Sequence, residues 1–188
     1  MLTRQPFWFL RHGQTDWNRT GRCQGRRDVP LSMAGEAEAH AAVPQLKSLG
    51  INAICCSPLR RARGTADIIG HSLGLAVVDV PGLEEMDVGP YEGIADYSWV
   101  SAWREDKPVD GIEPFPEVRK RVAAAANRAL GRASHVLIVA HGGVFWALQH
   151  LCKSPFTPLA NCRPAHLAPV GETSWRIEML TPPQAEQA

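Results

Sequence analysis

Short runs of apolar residues alternate with longer segments in which apolar residues recur every three or four positions. The short runs predict β-strands and the longer segments predict α-helices. The predicted strands are residues 7–10, 51–56, 75–80, 136–140 and 175–180. Because strands and helices alternate, we expect a three-layer α/β/α fold with a mostly parallel central sheet. The last run alternates apolar and polar residues, which places it at the sheet edge.

Capping residues mark the ends of the predicted helices, which cover residues 33–49, 58–70, 116–131 and 144–151. Ser32 is a predicted N-cap, and Gly50 closes the same helix. Ser57 is predicted to cap the second helix, with Pro58 at its first position, where a missing N–H costs nothing. Trp146, in the last helix, is expected in the core.

The segment around residues 90–114 has no clean helical or strand period. It contains Trp99 and Trp103 among charged residues, and we expect it to form a short lid in which these aromatic rings pack. The whole of residues 1–181 is predicted to form one catalytic domain. Residues 182–188 are expected to be a disordered tail.

Composition narrows the function classes. The 188 residues are 45% hydrophobic and 21% charged, with a net charge of +1, so we expect no nucleic-acid partner and no membrane partner. The five cysteines are irregularly spaced and form no Cys-x-x-Cys pair. Reduced thiols and the lack of a signal-like or membrane-spanning apolar run predict a cytoplasmic protein.

Charged and nucleophilic residues follow four of the predicted strands. In open α/β sheets, ligands bind beyond the carboxyl ends of the strands, so these residues are expected to meet at one edge. They are Arg11 and His12, then Arg60 and Arg61, then Glu84 and Glu85, and finally His141.

This combination is suited to a phosphate group. Guanidinium groups match phosphate oxygens in shape and stay charged. Positive charge beside His12 would lower the pKa of its imidazole and keep it nucleophilic. Gly142 and Gly143 open a helix after His141 and would offer backbone N–H groups to an anion.

The motifs around these residues occur in a recognisable order: residues 10–18 (LRHGQTDWN), 21–25 (GRCQG), 28–32 (DVPLS), 57–62 (SPLRRA) and 140–143 (AHGG). Together they resemble the signature of the histidine phosphatase superfamily, the phosphoglycerate-mutase-like proteins. An Arg-His-Gly triplet alone is weak, but the ordered series covers about the first four-fifths of the chain.

The resemblance implies roles for the matching residues. His12 would be the nucleophile that becomes phosphorylated. Arg11, Arg61 and His141 would bind the phosphoryl oxygens, and Asn18 would add a side-chain hydrogen bond. Arg60 is instead expected on a solvated helix face.

A glutamate is expected to donate a proton to the leaving group and later to accept one from water. The family spacing to Gly89 favours Glu85 for this role. Glu84 remains the alternative.

Some positions depart from the family pattern. Gly64 stands where many relatives have glutamine, and residues 111–114 (GIEP) lack the serine of the family's Gly-Glu-Ser segment. Glu113 and Arg121 match and are expected to be structural or at the substrate rim. The chain from Lys153 onward is the least family-like, and we assign no site there.

The sequence therefore predicts a phosphatase that hydrolyses a small-molecule phosphate monoester through a phosphohistidine on His12. We expect no metal and no other cofactor, because fixed arginines would neutralise the phosphoryl charge. The alternatives are a cofactor-dependent phosphoglycerate mutase, a non-catalytic phospholigand-binding protein and a metal-dependent hydrolase. The short lid favours hydrolysis over mutase activity, since it admits water. The predicted edge strand 175–180 could pair in a homodimer.

Overall fold

A computed structural model describes residues 1–181. Six strands form one sheet: β1 (Phe7–Arg11), β2 (Ala53–Cys56), β3 (Val77–Asp79), β4 (Val136–Ala140), β5 (Pro164–Val170) and β6 (Ser174–Met179). Their order is β3-β2-β4-β1-β5-β6. The four strands on one side are parallel, whereas β5 and β6 are antiparallel additions at the other edge. The sheet is therefore mixed and mostly parallel, as predicted.

Six α-helices connect the strands: α1 (Asp16–Arg19), α2 (Met33–Lys47), α3 (Arg60–Leu73), α4 (Val100–Arg104), α5 (Phe115–Leu130) and α6 (Gly142–Leu151). A single 3₁₀ turn, Gly89–Tyr91, lies in the segment before α4.

The central strand β4 is buried on both faces, and its residues alternate between two hydrophobic cores. Val136, Ile138 and Ala140 pack in the core that contains α5 and α6. Leu137 and Val139 pack in the core that contains α2 and α3. Because successive strand residues point to opposite faces, this alternation requires helices on both sides of the sheet. The predicted three-layer α/β/α fold is confirmed.

The lid segment packs onto the α5–α6 face through its tryptophans. Trp103 is buried, its ring centroid lies 4.3 Å from that of Phe115, and its indole N–H donates to the carbonyl of Glu113. Trp99 is also buried and lies edge-on to Trp103. Both rings therefore pack in the fold, as expected for the lid.

Ser57 does not cap the helix that follows β2. The N-cap of α3 is Leu59, which makes no side-chain cap hydrogen bond, and the helix begins at Arg60. The carboxylate of Asp28 instead accepts the N–H of Arg60 at 2.7 Å. The first N–H of α3 thus finds its acceptor in a residue distant in sequence, and not in the Ser57 hydroxyl.

The sequence pattern also missed the short helices α1 and α4, the strand β5 and the end of α3. β5 contains Pro164 and Pro169, and prolines weigh against a strand prediction. The helix α3 runs three residues beyond the predicted Gly70 and ends at Gly74, whose φ of 69° is left-handed.

Within residues 1–181, no helix is both long enough and apolar enough to cross a bilayer. The tail predicted for residues 182–188 lies outside the described residues. That residues 1–181 form a single domain stays a prediction.

Two glycines of α3 give a matched test of the packing. We expect Gly64→Ala to raise the free energy of unfolding by about 0.5–1 kcal/mol, because alanine is the better helix former and its Cβ would lie 3.4 Å from Leu31 Cδ1, an ordinary contact. We expect Gly70→Ala to lower it by about 1–3 kcal/mol, because its Cβ would lie 2.7 Å from Val77 Cγ2 and 2.8 Å from the Leu75 carbonyl oxygen. Urea unfolding measures both, and equal effects of the two substitutions would contradict the packing.

Candidate active site

The ends of β1 and β4 bring two histidines together. These strands are parallel neighbours, with Arg11 opposite Ala140, and the His12 N–H donates to the Ala140 carbonyl at 2.9 Å. His141 follows β4 directly, and the two imidazole centroids lie 5.2 Å apart. Both side chains are buried. The two histidines therefore lie side by side, because they follow the carboxyl ends of neighbouring parallel strands.

The backbone fixes the tautomer of His12. Its Nδ1 lies 2.7 Å from the carbonyl oxygen of Gly13. A carbonyl can only accept, so Nδ1 bears the proton and Nε2 presents its lone pair. Burial, and then the charges of Arg61 and Arg11, hold the pKa of His12 well below its usual range. The result is a neutral imidazole with an available nucleophilic nitrogen.

Arg61 is a fully buried cation held by backbone carbonyls. Its terminal nitrogens donate to the carbonyl oxygens of Arg27 and Gly25, each at 2.8 Å. Burial lowers the pKa of Arg61 to about 10, an effect that the charges of Glu85 and Asp28 partly oppose. The group is still charged at neutral pH, and its polypeptide partners do not cancel that charge.

Arg11 is held in the same manner. Its Nη1 donates to the carbonyl oxygen of Leu159 at 3.0 Å. Burial lowers the pKa of Arg11, while the carboxylate of Glu85 acts in the opposite direction. Two largely desolvated guanidinium groups thus lie around His12.

Three nitrogens in this cluster lack a hydrogen-bond partner among residues 1–181, and all three are buried. They are Arg11 Nε, Arg61 Nε and His141 Nδ1. Buried N–H groups are nearly always paired, and leaving one unpaired costs about 1–3 kcal/mol. Two of the three nitrogens belong to cations, so together they form a site suited to an anion with several acceptor oxygens.

Glu85 contributes the carboxylate of the site. Its two oxygens accept the backbone N–H groups of Met86 and Gly143, each at 3.0 Å. A Cβ on Gly143 would collide with this carboxylate, so a side chain there would displace Glu85. The Gly143 N–H is therefore bound to Glu85, which corrects the expectation that both glycine N–H groups face the anion.

Glu84 turns away from the cavity. One of its carboxylate oxygens accepts the N–H of Gly82 within its own loop, at 2.6 Å. Glu85, by contrast, lies on the cavity wall. The structure thus places one of the two candidate carboxylates at the site.

Asn18 and Gly142 lie on the same wall. Asn18 Oδ1 accepts the N–H of Thr15 in a capping box at the start of α1, which leaves its amide nitrogen as the donor for a ligand. A Cβ on Gly142 would lie 3.9 Å from Glu85 Oε2 and 4.0 Å from Arg11 Nε. Gly142 therefore marks the point where the carboxylate and one guanidinium group approach each other.

The site opens into a cavity of about 330 Å³. Of the seven residues predicted for the site, six line this cavity, while His141 lies fully buried beside His12. Besides the charged cluster, the cavity lining includes six apolar or aromatic residues: Met86, Val88, Tyr97, Trp99, Trp146 and Leu159.

Trp146 differs from its prediction as a core residue. It is only partly buried and forms part of the cavity wall. The guanidinium carbon of Arg104, from the lid helix α4, lies 3.9 Å from its ring centroid. This cation–π contact ties the lid to α6 at the cavity edge.

Four residues that support the site were not assigned from the sequence. Ser57 Oγ lies 2.7 Å from His141 Nε2, and Asn161 donates its amide N–H to the His12 carbonyl at 2.6 Å. Thr65 accepts the Gly13 N–H and donates to the Arg61 carbonyl. Leu159 acts through its main-chain oxygen. The Ser-Pro start of the 57–62 motif signalled Ser57, whereas nothing in the pattern marked Asn161 or Leu159.

Glu113 and Arg121 form a structural pair behind the carboxylate. Arg121 Nε lies 2.7 Å from Glu113 Oε1, and the same guanidinium donates to the carbonyl oxygens of Gly82, Glu84 and Glu85. Neither residue lines the cavity.

Known proteins are similar to this chain in sequence. An uncharacterized phosphatase, PhoE, of Bacillus subtilis is 36% identical over 142 residues, which cover 74% of this chain and 72% of the relative. A probable phosphoglycerate mutase, GpmB, of Proteus mirabilis is 36% identical over 147 residues, or 72% and 68% of the two chains.

Solved structures show the same fold. A mycobacterial glucosyl-3-phosphoglycerate phosphatase in complex with VO3 superposes with a TM-score of 0.78 at 30% identity, covering 93% of this chain and 97% of its own. The family model described as the histidine phosphatase superfamily (branch 1) matches residues 7–177. The chain belongs to the histidine phosphatase superfamily.

Proposed function

We propose that this protein hydrolyses a small phosphate monoester through a phosphohistidine on His12. The observation that supports this most directly is the set of three buried, unpartnered nitrogens on Arg11, Arg61 and His141 around a neutral imidazole. A phosphoryl group supplies the acceptor oxygens that these donors lack, and its negative charge offsets the two buried cations.

The reaction proceeds in two transfers. His12 Nε2 attacks phosphorus and forms an N–P bond, while the P–O bond to the leaving group breaks and Glu85 gives its proton to the departing oxygen. Water then attacks the phosphohistidine, Glu85 takes one proton from it, and the N–P bond breaks to release inorganic phosphate.

Hydrolysis is favoured over phosphoglycerate mutase activity by the composition of the cavity wall. A mutase must hold a bisphosphorylated intermediate, which needs a second group of cations. Among the lining residues that the structure describes, the only arginine or lysine besides Arg11 and Arg61 is Arg22. A non-catalytic phosphate-binding role is less favoured because His12 has an available Nε2.

We also propose that the reaction needs no metal ion. In the described part of the chain, no cluster of three or more His, Cys, Asp or Glu side chains could hold one. The fixed guanidinium groups would instead neutralise the charge that develops on the phosphoryl oxygens. A cytoplasmic location and pairing of two copies through β6 complete the proposal.

The apolar part of the cavity lining suggests the class of the leaving group. Aromatic side chains from the lid and from α6 line the cavity, so an organic group with apolar area would be buried against them. A panel of aryl, alkyl and sugar phosphates ranks these classes.

His12→Ala is expected to lower phosphate release by at least about a thousandfold, because the Nε2 lone pair of His12 is the nucleophile in the proposed first transfer. Rapid quenching of wild-type enzyme with labelled substrate should trap an acid-labile, alkali-stable phosphoenzyme that the variant lacks. The released product is assayed as inorganic phosphate, with and without EDTA. Efficient isomerisation of 3-phosphoglycerate with little free phosphate, or inactivation by EDTA, would contradict the proposal.

Glu85→Gln and Glu84→Gln form a matched pair. We expect the first to lower kcat for alkyl phosphates by about a hundredfold to ten-thousandfold, since their leaving groups need a proton. For p-nitrophenyl phosphate, whose leaving group is stable as an anion, the loss should be much smaller. Glu84→Gln should stay within about threefold of wild type for both substrates, because this carboxylate only accepts the Gly82 N–H. Equal losses in the two variants would refute the assignment.

Stability should fall as the pH drops below 6.5. Because the pKa of His12 is lower in the folded protein than its ordinary 6.5, the unfolded chain binds more protons in this range, and acid favours unfolding. Between about pH 7 and pH 5.5, the free energy of unfolding of His12→Gln should decrease by about 1 kcal/mol less than that of wild type. Urea unfolding at the two pH values measures the difference, and identical slopes would show that His12 is not held neutral.

A further inference from the structure

The hydroxyl of Ser57 lies in the buried cluster, although the mechanism above does not use it. Its Oγ is 2.7 Å from His141 Nε2, and both residues are fully buried. The Ser57 N–H donates to the Val139 carbonyl, which fixes the residue beside the end of β4, two positions before His141. Serine and histidine are thus held against each other by the pairing of β2 with β4.

A second hydrogen bond determines which of the two groups is the donor. The backbone N–H of Leu59 donates to Ser57 Oγ at 3.3 Å. A hydroxyl has one proton, and among residues 1–181 the only acceptor within reach of this one is His141 Nε2. If Nε2 carried a proton, the hydroxyl would accept two bonds and its own proton would be buried without a partner.

The other arrangement leaves one group unpaired among residues 1–181, the Nδ1–H, whereas a proton on Nε2 would leave two, the hydroxyl proton and the Nδ1 lone pair. If Nε2 is unprotonated, Ser57 accepts from Leu59 and donates to His141. Each unpaired buried polar group is costly, so the arrangement with fewer of them dominates. A neutral imidazole has one proton, and it must then lie on Nδ1, the atom of His141 that has no partner in residues 1–181.

We propose that Ser57 is a positioning residue that fixes neutral His141 in its Nδ1–H tautomer, so that a buried imidazole donates a hydrogen bond to a phosphoryl oxygen. This role rests on the proposed phosphatase function. The two histidines are then set in complementary states. Gly13 keeps the proton of His12 on Nδ1 and leaves Nε2 as the nucleophile, while Ser57 makes Nδ1 of His141 a donor.

The charged groups near His141 explain why a tautomer, rather than a full charge, supplies this donor. Burial, Arg61, His12, Arg11 and Arg121 all hold the pKa of His141 well below its usual range. The imidazolium form, which carries both protons, is therefore suppressed. The direction of the Ser57 hydrogen bond then decides which nitrogen of the neutral ring carries the proton and can donate it to an anion.

The first experiment uses the wild-type enzyme without any substrate. Long-range ¹H–¹⁵N correlation spectra of protein labelled at histidine, assigned with His141→Gln, should show a protonated Nδ1 and an unprotonated Nε2 for His141. An Nε2–H tautomer would overturn the proposal, whatever the activity of the enzyme.

The second experiment compares Ser57→Ala with Ser57→Thr. The alanine variant should lose the Nδ1–H preference, bind vanadate about tenfold to a hundredfold more weakly, and show a similar fall in kcat/KM, because one phosphoryl donor is lost in part of the population. The threonine variant keeps the hydroxyl and should recover most of both values. Wild-type vanadate affinity in Ser57→Ala would overturn the proposal.

The outcomes also separate this inference from the proposed function. If phosphatase activity depends on His12 but His141 carries its proton on Nε2, only the role of Ser57 is refuted and the proposed function stands. An Nδ1–H His141 in a protein without His12-dependent phosphatase activity would refute the proposed function, and with it the catalytic use of the serine.

Discussion

The uncancelled charge of Arg61 is the constraint on which the site depends. A buried arginine is usually paired with a carboxylate, but here the terminal nitrogens donate to the carbonyl oxygens of Gly25 and Arg27. Carbonyls satisfy the N–H groups without removing the charge. Burial lowers the pKa to about 10, which leaves the group a cation at neutral pH. The protein thereby maintains a desolvated positive charge that only a bound anion neutralises fully.

The states of the two histidines follow from this charge. Beside Arg61 and Arg11, a protonated imidazole would add a third buried cation, so His12 and His141 are both neutral. One neutral ring can serve as a nucleophile and the other as a donor, provided that each proton is held on a chosen nitrogen. The same positive field that favours an anion in the pocket therefore makes the tautomers important, because a neutral ring offers only one N–H.

The fold and most of this cluster could be predicted because both depend on strong local signals. Apolar runs identified the central strands, and strand ends in a parallel sheet must converge, which placed Arg11, His12 and Glu85 at one edge. Contacts made by main-chain atoms leave no such signal. Nothing in the sequence shows that the carbonyl of Leu159 holds Arg11, or that Asn161 supports the His12 backbone.

Ser57 shows how a local signal can be overridden. Ser-Pro before a helical segment favours an N-cap, and in isolation the hydroxyl would take that role. In the folded chain, Asp28 reaches the N–H of Arg60, and the serine is released to bind His141. Because the competing acceptor lies about 30 positions away, only tertiary structure decides between the two uses.

Glu85 must be held in place without a further uncancelled charge beside it, which is the opposite of what Arg61 provides. Arg121 donates to the carbonyl of Glu85 and to the loop before it, and a lone cation there would enlarge the positive field. Its guanidinium also donates to both oxygens of Glu113, so the charge of the pair cancels. Within residues 1–181, the guanidinium groups of Arg11 and Arg61, which line the cavity, have no such partner. Charge is thus left uncancelled where a phosphoryl group would lie and is neutralised one layer behind, where the arginine has only to orient the backbone that presents Glu85.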